Sequence, residues 1–534
     1  MRYRVPNIPL WLDEPDDRIK ERAAAALGVS ASKVGEVCVV RRALDARKKG
    51  HIRHLLSVDV QLASGTVLEH LPPEIIAVEA DATLPAAVTR PHRKPIIVGT
   101  GPAGLFAALG LLERGVRTIL IDRGKEVVPR RKDVAKLMRD GTLLPESNMN
   151  FGEGGAGAYT DGKLGTRIGH PAVRKVVETF AHYGEAYGLS RILAEGKPHV
   201  GSDLLPCAVE GLRKHLLAEG CEIHWDSRVN DVLVDGAGNC RGVVLSDGRA
   251  FESDRVILAP GNSGRELFEL FAERGWGVAP KPFAVGFRVE HPQGLIDEIQ
   301  YGPQAGHPKL PAADYKLAEN PTIDGTVRGV FSFCMCPGGI VVPTPTEAGL
   351  QCTNGMSNSH RSSKWANAGL VVSVHAEDYA REGFVGPLAG LQWQRKWERA
   401  AYELGGGGFV APAQRLRDYL AGKVSSSLPA SSYRPALVST DLGQLFPPFL
   451  RKGLTEALRG FERKMRGYLT EESVLIGIES RTSSPVRLTR GANFQSVALP
   501  GLYPCGEGAG YAGGIVSSGV DGLKVADAIA RELS

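Results

Sequence analysis

The sequence predicts an α/β protein built around one nucleotide-binding βαβ unit, with a small α+β unit before it and a β-rich region inserted after it. Three observations carry this. Residues 96–122 read as strand, glycine turn, helix and strand. A further strand, glycine-rich turn and helix stands at residues 501–531. Between the two, beyond about residue 275, strand formers and glycine dominate.

Composition sets the bounds. The chain has 534 residues, 43% hydrophobic and 23% charged. A domain runs to roughly 100–200 residues, so about three folding units are expected. The net charge of +5 is small for this length and predicts no strong pull toward nucleic acid or an acidic membrane. Eight cysteines are scattered without a CxxC or a dense framework, which fits a reducing compartment. The start, MRYRVPNIPLWLDEPDDR, lacks the apolar run of a signal peptide. No segment reaches the ~18 apolar residues that span a bilayer. A soluble cytoplasmic protein is the expectation.

The first unit covers roughly residues 1–90. Arg2–Leu12 is strand-like, Asp16 and Asp17 suit the start of a helix through Leu27, and Gly28 stops it. Glu36–Leu44 and His51–Leu62 read as strands, the second alternating at Leu56, Val58, Val60 and Leu62. Arg41, Arg42, Arg47, Lys48, Lys49 and Arg53 make this hairpin basic, with Asp45 inside the cluster. A solvated hairpin is the plainer reading; a docking surface for an anionic partner is the other. Pro85, Pro91 and Pro95 mark a linker. Helical patterns recur at Leu391–Glu403 and Leu450–Tyr468, Gly405–Gly408 reads as a flexible loop, and Ser425–Ser432 as a surface loop.

Residues 96–122, IIVGTGPAGLFAALGLLERGVRTILID, hold the central motif. Ile96–Val98 form an apolar strand. Gly99, Gly101 and Gly104 then give G-x-G-x-x-G. The first glycine permits the tight turn, the second lets backbone approach a pyrophosphate, and the third lets helix pack on strand. The phosphate sits at the positive end of the following helix. Ala108 and Leu112 continue that helix, Gly115 ends it, and Thr118–Ile121 form the next strand. Asp122 closes this strand close to the roughly 20 residues after the first glycine expected of an acid that accepts ribose hydroxyls. The context is that of a Rossmann-like unit.

This segment resembles the N-terminal fingerprint of the glutathione-reductase-type flavoproteins. Trp225–Val234 with Gly236 and Gly238 resembles the family strand whose backbone meets adenine, at Val229. Asp254–Gly261, DRVILAPG, resembles a second family strand, with Pro260 in place of the usual threonine. Gly501–Gly522, GLYPCGEGAGYAGGIVSSGVDG, resembles the late motif that returns the chain to the flavin. At a finer level, FGEGGAGAYTDGKL (Phe151–Leu164), KPFAVGFRVEHPQ (Lys281–Gln293), FSFCMCPGGIVVP (Phe331–Pro343) and ESRTSSPVR (Glu479–Arg487) resemble a bacterial and plastid group of uncharacterised FAD-dependent dehydrogenases. The resemblance implies FAD held by Gly99, Gly101, Pro102, Ala103, Gly104, Asp122, Arg123, Val229, Gly506, Glu507, Gly513, Gly514 and Ile515. Amides at the last helix start are then placed to stabilise negative charge on a reduced isoalloxazine.

The strings Gly152–Gly157 and Gly508–Gly513 repeat the G-x-G-x-x-G spacing, but neither stands in a strand–turn–helix–strand unit like the first, and the CxxxxC of disulfide reductases is missing. The middle of the chain then forms a β-rich cap or substrate domain. The implied layout is a GR2-type FAD domain at 91–275, resuming at 478–534, with the cap at 276–477 between them. The glycine loop Gly152–Gly157 suits a phosphate or the flavin edge. Tyr159, Lys163, Arg481 and Arg487 are the candidate substrate contacts, arginine because it binds carboxylates in bidentate fashion. Cys334 and Cys336 read as buried thiols: side chains two apart on a strand share a face rather than meet as a relaxed disulfide. Cys505 reads as buried near the cofactor. His291, His360 and His375 are eligible proton carriers but read better as structural or surface residues. No metal site is expected.

The reaction implied is transfer of a hydride equivalent between FAD and a small organic substrate. NAD(P)H is a candidate donor and a protein electron partner another. Alternatives are a flavin monooxygenase, an RNA-acting flavoprotein that docks through the basic hairpin, and a flavin-dependent scaffold without turnover. Near-neutral charge speaks against nucleic acid.

Overall fold

The structure, a computed structural model, describes residues 2–66, 68, 70–78 and 87–534. At the N-terminus, four antiparallel strands lie in the order Val34–Asp45, Arg53–Leu62, Arg2–Trp11, Ile76–Ala77. Alternation places Leu56, Val58, Val60 and Leu62 on one buried face. Helix Arg18–Ala26 covers that face with Ile19, Ala23 and Ala24. The basic cluster is partly neutralised: Arg47 and Arg53 pair with Asp45 at 2.7 and 3.6 Å, and Arg42 with Asp16 at 3.2 Å. Pro91 and Pro95 stand outside helix and strand, and Pro85 lies outside the described residues.

The next layer is a five-stranded parallel sheet in the order Leu502–Pro504, Val256–Leu258, Ile96–Val98, Ile119–Ile121, Glu222–His224. Its strands are short, and all but the edge strand Glu222–His224 are almost wholly buried, as parallel sheets covered on both faces must be. Helices Pro102–Leu112 and Ile515–Leu533 pack on it side by side. They touch closely: a Cβ on Gly522 would lie 2.2 Å from the Ala103 carbonyl oxygen. This is an α/β Rossmann-like fold. Strands Val229–Val234, Cys240–Leu245 and Ala250–Glu252 add an antiparallel meander beside it.

The chain then builds a seven-stranded sheet in the order Ala318–Glu319, Val330–Cys336, Trp365–Val374, Phe283–Pro292, Val474–Glu479, Ala411–Arg415, Leu437–Ser439. Helices Ala389–Leu404 and Pro448–Lys464 pack against it, around Trp393, Phe287 and Phe461. The second helix stops short of the expected Tyr468 because Met465 leaves helical geometry. The loop Ser425–Ser432 is less superficial than its composition suggested. Ser425 is buried and its Oγ accepts from the Arg415 amide, while the Ser432 hydroxyl bonds Glu290.

Candidate functional site

The glycine turn divides its labour among three positions. Gly99 sits at φ +100°, and a Cβ there would lie 2.2 Å from the Ala259 carbonyl oxygen. Gly104 is equally closed, 1.9 Å from the Gly99 oxygen. Gly101 has φ −70° and meets nothing nearer than Gly155 Cα at 3.8 Å, so its missing side chain is open space above the helix start at Pro102. Asp122 accepts from the Thr100 amide (2.8 Å), the Thr100 hydroxyl (2.7 Å) and the Gly124 amide (2.9 Å). It therefore ties the turn to the second strand, besides facing the space where a ribose was expected.

That space is a cavity of about 1830 Å³. Small-molecule pockets run to roughly 300–1,000 Å³, so this one has room for a dinucleotide and a second molecule. Gly99, Gly101, Pro102, Ala103, Asp122 and Arg123 line one side. Val229 from the meander joins them, as do Glu507, Gly513, Gly514 and Ile515 from the return segment. Cβ atoms on Gly513 and Gly514 would meet nothing within 4 Å. Two helix N-termini thus open on one cavity behind bare glycines, which suits a pyrophosphate and a second electron-rich group. Gly104 and Gly506 are not in the wall: the first packs under the turn, and the second donates its amide to Asp521 at 2.8 Å. Arg123 lies over the Phe151 ring at 4.0 Å and pairs with Glu146 and Glu266.

The glycine loop at 152–157 borders the same cavity through Gly152, Gly155, Ala156 and Gly157. Its shape comes from Arg130, which is fully buried beneath it. Its guanidinium donates to the carbonyls of Asn148, Met149, Glu153 and Gly155 at 2.6–2.9 Å. Burial pushes Arg130 down to about 10, which leaves it charged at neutral pH.

The opposite wall is charged and comes from distant segments. Lys163 pairs with buried Asp161 at 2.7 Å, and Ser357 donates to Asp161. Burial opposes the charge on Asp161, but Lys163 and His199 hold it well below the usual carboxylate range. Cys334 and Glu479 lie nearby on the large sheet. Glu479 pairs with buried Arg288 at 3.0 Å, yet burial pushes it up to about 7. Burial raises Glu507 to about 7 as well, against the Asn262 amide bonded to its Oε1 at 3.0 Å.

Two substrate candidates move. Tyr159 is core: its hydroxyl donates to the Val127 carbonyl at 2.7 Å and its ring lies over Arg130. Arg487 is exposed outside the cavity, 5.3 Å from the centre of the Tyr511 ring. Arg481 does line the cavity, but four of its five N–H donors are taken. Two go to Glu398 at 3.0 Å each, the others to Ser263 and Thr346. Glu398 also receives Arg265 in bidentate fashion at 2.8 Å, so it joins the parallel-sheet layer to the large sheet. The sequence reading missed Glu398, Arg265 and Arg288 as a set. The available signal was a charge inside an apolar run, as at Arg288 in FAVGFRVEHP. His291 is buried against the Tyr468 carbonyl at 2.9 Å, and burial lowers it to about 4. His375 caps a short helix and His360 is exposed.

Family comparison bears on the whole chain. Residues 282–482 match the family model "FAD-dependent protein, C-terminal domain-like", residues 94–143 match "FAD binding domain", and residues 3–61 match a domain of unknown function. An uncharacterized protein of Clostridium beijerinckii is 38% identical over 535 residues, spanning 99% of this chain and 98% of that one. Among solved structures, glycine oxidase from Bacillus cereus aligns with 83% of this chain and 96% of its own, at 13% identity and TM-score 0.34. CtdE in complex with FAD aligns with 83% and 84%, at 11% identity and TM-score 0.31. No helix among the described residues is long and apolar enough to cross a membrane.

Proposed function

Because the chain belongs to the FAD-dependent flavoprotein family and takes FAD as its cofactor, we propose that it is an oxidoreductase of the dehydrogenase or reductase kind, acting on a small organic substrate. The observation that carries this is the single large cavity with two unlike walls. One is bare glycine and helix N-termini, and the other is charged side chains. In this reading the pyrophosphate lies over Gly101 and Pro102, and the return segment Gly513–Ile515 meets the flavin end. The glutathione-reductase-type arrangement is the finer placement we assign, from the order of these motifs along the chain.

Bound flavin supplies hydride transfer. The chain's residues do the rest. Lys163, fixed by Asp161, offers a cation that does not swing, which suits an anionic group on the substrate. Arg481 belongs to the Glu398 clamp and sets the wall's shape rather than gripping substrate. The large sheet contributes Phe331, Phe333, Cys334 and Glu479 to the lining of the cavity that the glycine turn also borders.

The test is anaerobic addition of NADPH, then NADH, then pooled metabolites to the flavin-loaded protein, following absorbance near ~450 nm. Bleaching by a nicotinamide identifies a reductase or a monooxygenase fed by nicotinamide. Bleaching only by a metabolite fraction identifies a dehydrogenase reduced by its substrate. A flavin that no donor bleaches would sink the oxidoreductase reading.

A further inference from the structure

We propose that Cys334 and Cys336 are a redox-active dithiol pair that exchanges with organic disulfides entering the cavity, Cys334 attacking and Cys336 resolving. Three observations meet here. First, the strand Val330–Cys336 does not stay regular. Its pairing with Trp365–Val374 steps from Phe333↔Gly369 to Cys336↔Asn367, so one extra residue is inserted. Cys334 stands at φ +41°, a strained conformation for a residue with a Cβ. The rule that alternate strand residues merely share a face fails at this bulge, and the Cys336 thiol folds back to 3.3 Å from the Cys334 carbonyl oxygen.

Second, the two thiols are placed unequally. Cys334 is partly exposed and lines the cavity, whereas Cys336 is fully buried behind it. An incoming disulfide reaches the first and not the second.

Third, cations surround the pair. Arg288 Nη2 lies 3.6 Å from Cys336 Sγ and donates to the Cys334 carbonyl at 2.8 Å, and Lys163 Nζ is 3.8 Å from Cys336 Sγ. Asp161, Glu479 and Glu507 are the acids that face this group. The balance favours one thiolate: the Cys336 thiol, Lys163 and Arg288 hold Cys334 well below the ordinary thiol range, while burial holds Cys336 above it.

The exchange balances. The Cys334 thiolate attacks one sulfur of RS–SR. The S–S bond breaks, a mixed disulfide forms, and RS⁻ leaves and takes a proton from solvent. Cys336 then gives up its proton and attacks Cys334 sulfur, the mixed bond breaks, and the second RS⁻ leaves with that proton. The organic disulfide is reduced by two electrons to two thiols, and the pair is oxidised to one disulfide. The proposal does not rest on the small-molecule reading above, because its readout is the state of the thiols.

The experiment uses the FAD-loaded protein, reduced with a phosphine, desalted without oxygen and exposed to oxidised glutathione. After acid quench and alkylation, trypsin releases residues 329–361, with Cys352 separated from the pair by fragmentation. The expected result is a Cys334–Cys336 segment lighter by two hydrogens and restored by dithiothreitol. Cys336→Ser should instead carry one glutathione on Cys334, and Cys334→Ser none. At pH 6.5, Cys334 in the reduced protein should react with iodoacetamide about tenfold faster than exposed Cys38, and Lys163→Met should shrink that ratio. The wild-type peptide needs no variant to fold. If it keeps both thiols while Cys38 is modified, or keeps glutathione on Cys334 beside a free Cys336, the pair is overturned.

Discussion

The two walls of the cavity are built on opposite plans. The glycine wall is local: one turn, Gly99–Gly104, with a second helix brought beside it by the return strand Leu502–Pro504. Its chemistry is backbone, and its side chains are absent where a ligand must approach. The charged wall is assembled from Lys163, Cys334 and Glu479, backed by the buried Arg288, and no local spacing connects them. Its chemistry is side chain, and each charge is held by another. A wall made of backbone tolerates no added atom, whereas a wall made of paired charges tolerates no missing one.

The sharpest break of that comparison lies within the glycine wall. Gly99→Val adds a Cβ 2.2 Å from a backbone oxygen at positive φ, and no rotation relieves it. The variant should fail to fold, seen as loss of soluble protein and of native circular dichroism. Gly101→Val adds its side chain into open space at an ordinary φ. It should fold with a thermal midpoint near that of flavin-free wild type and lose FAD affinity by at least about a hundredfold, since the pyrophosphate site is filled. A folded Gly101→Val protein with stoichiometric flavin would remove the pyrophosphate from this turn.

Behind the charged wall the largest effect should come from Glu398. Its carboxylate serves Arg265 and Arg481 together, and all three are buried or nearly so. Glu398→Gln leaves Arg481 without its counter-charge and Arg265 with Glu347 alone, and breaking a buried pair costs about 3–5 kcal/mol. Urea unfolding of the FAD-loaded protein reads this as a lower midpoint. A shift no larger than that of a surface control would mean the clamp contributes shape and not stability. Arg130→Met should cost less, about 1–3 kcal/mol, because it leaves carbonyl acceptors rather than charges unpaired. It should also lower flavin content, since four carbonyls in and just before the second glycine loop lose their common donor.

The contrast explains what could be read from the chain. The βαβ unit, the return helix and the alternating strand at Arg53–Leu62 follow from periodicity and glycine spacing, which are local. Tyr159 was misplaced because a polar residue beside a glycine loop looks available until Val127 and Arg130 claim it. Arg487 was misplaced by strand alternation, which turned it to solvent while Val486 and Leu488 went inward. Cys334 was read by the period-two rule, and a one-residue bulge cancels that rule without leaving a mark in composition. The charged wall depends on pairs as far apart as Arg288 and Glu479. Such pairing is set by sheet order, and sheet order is not written in any window of residues.

The smallest predicted effect sits where the walls meet. Glu507 belongs to the return segment, yet it faces the charged wall. Burial raises it to about 7 from an ordinary 4.5. A carboxyl whose folded value is raised binds its proton more tightly in the folded state. Its stabilising contribution is therefore full below about pH 4.5 and is lost as pH climbs toward 7. Flavin-free wild type should lose thermal stability across that window relative to Glu507→Gln, which has no proton to release. The measurement is the difference in thermal midpoint between the two proteins at pH 5 and at pH 8. Because Glu153, Glu290 and Glu479 are also raised, the wild-type curve alone would not identify Glu507. The difference between the two proteins cancels them. Parallel curves would place Glu507 in open water and detach it from the charged wall. Convergence at low pH with separation at high pH would tie Glu507 to the charged wall through its proton.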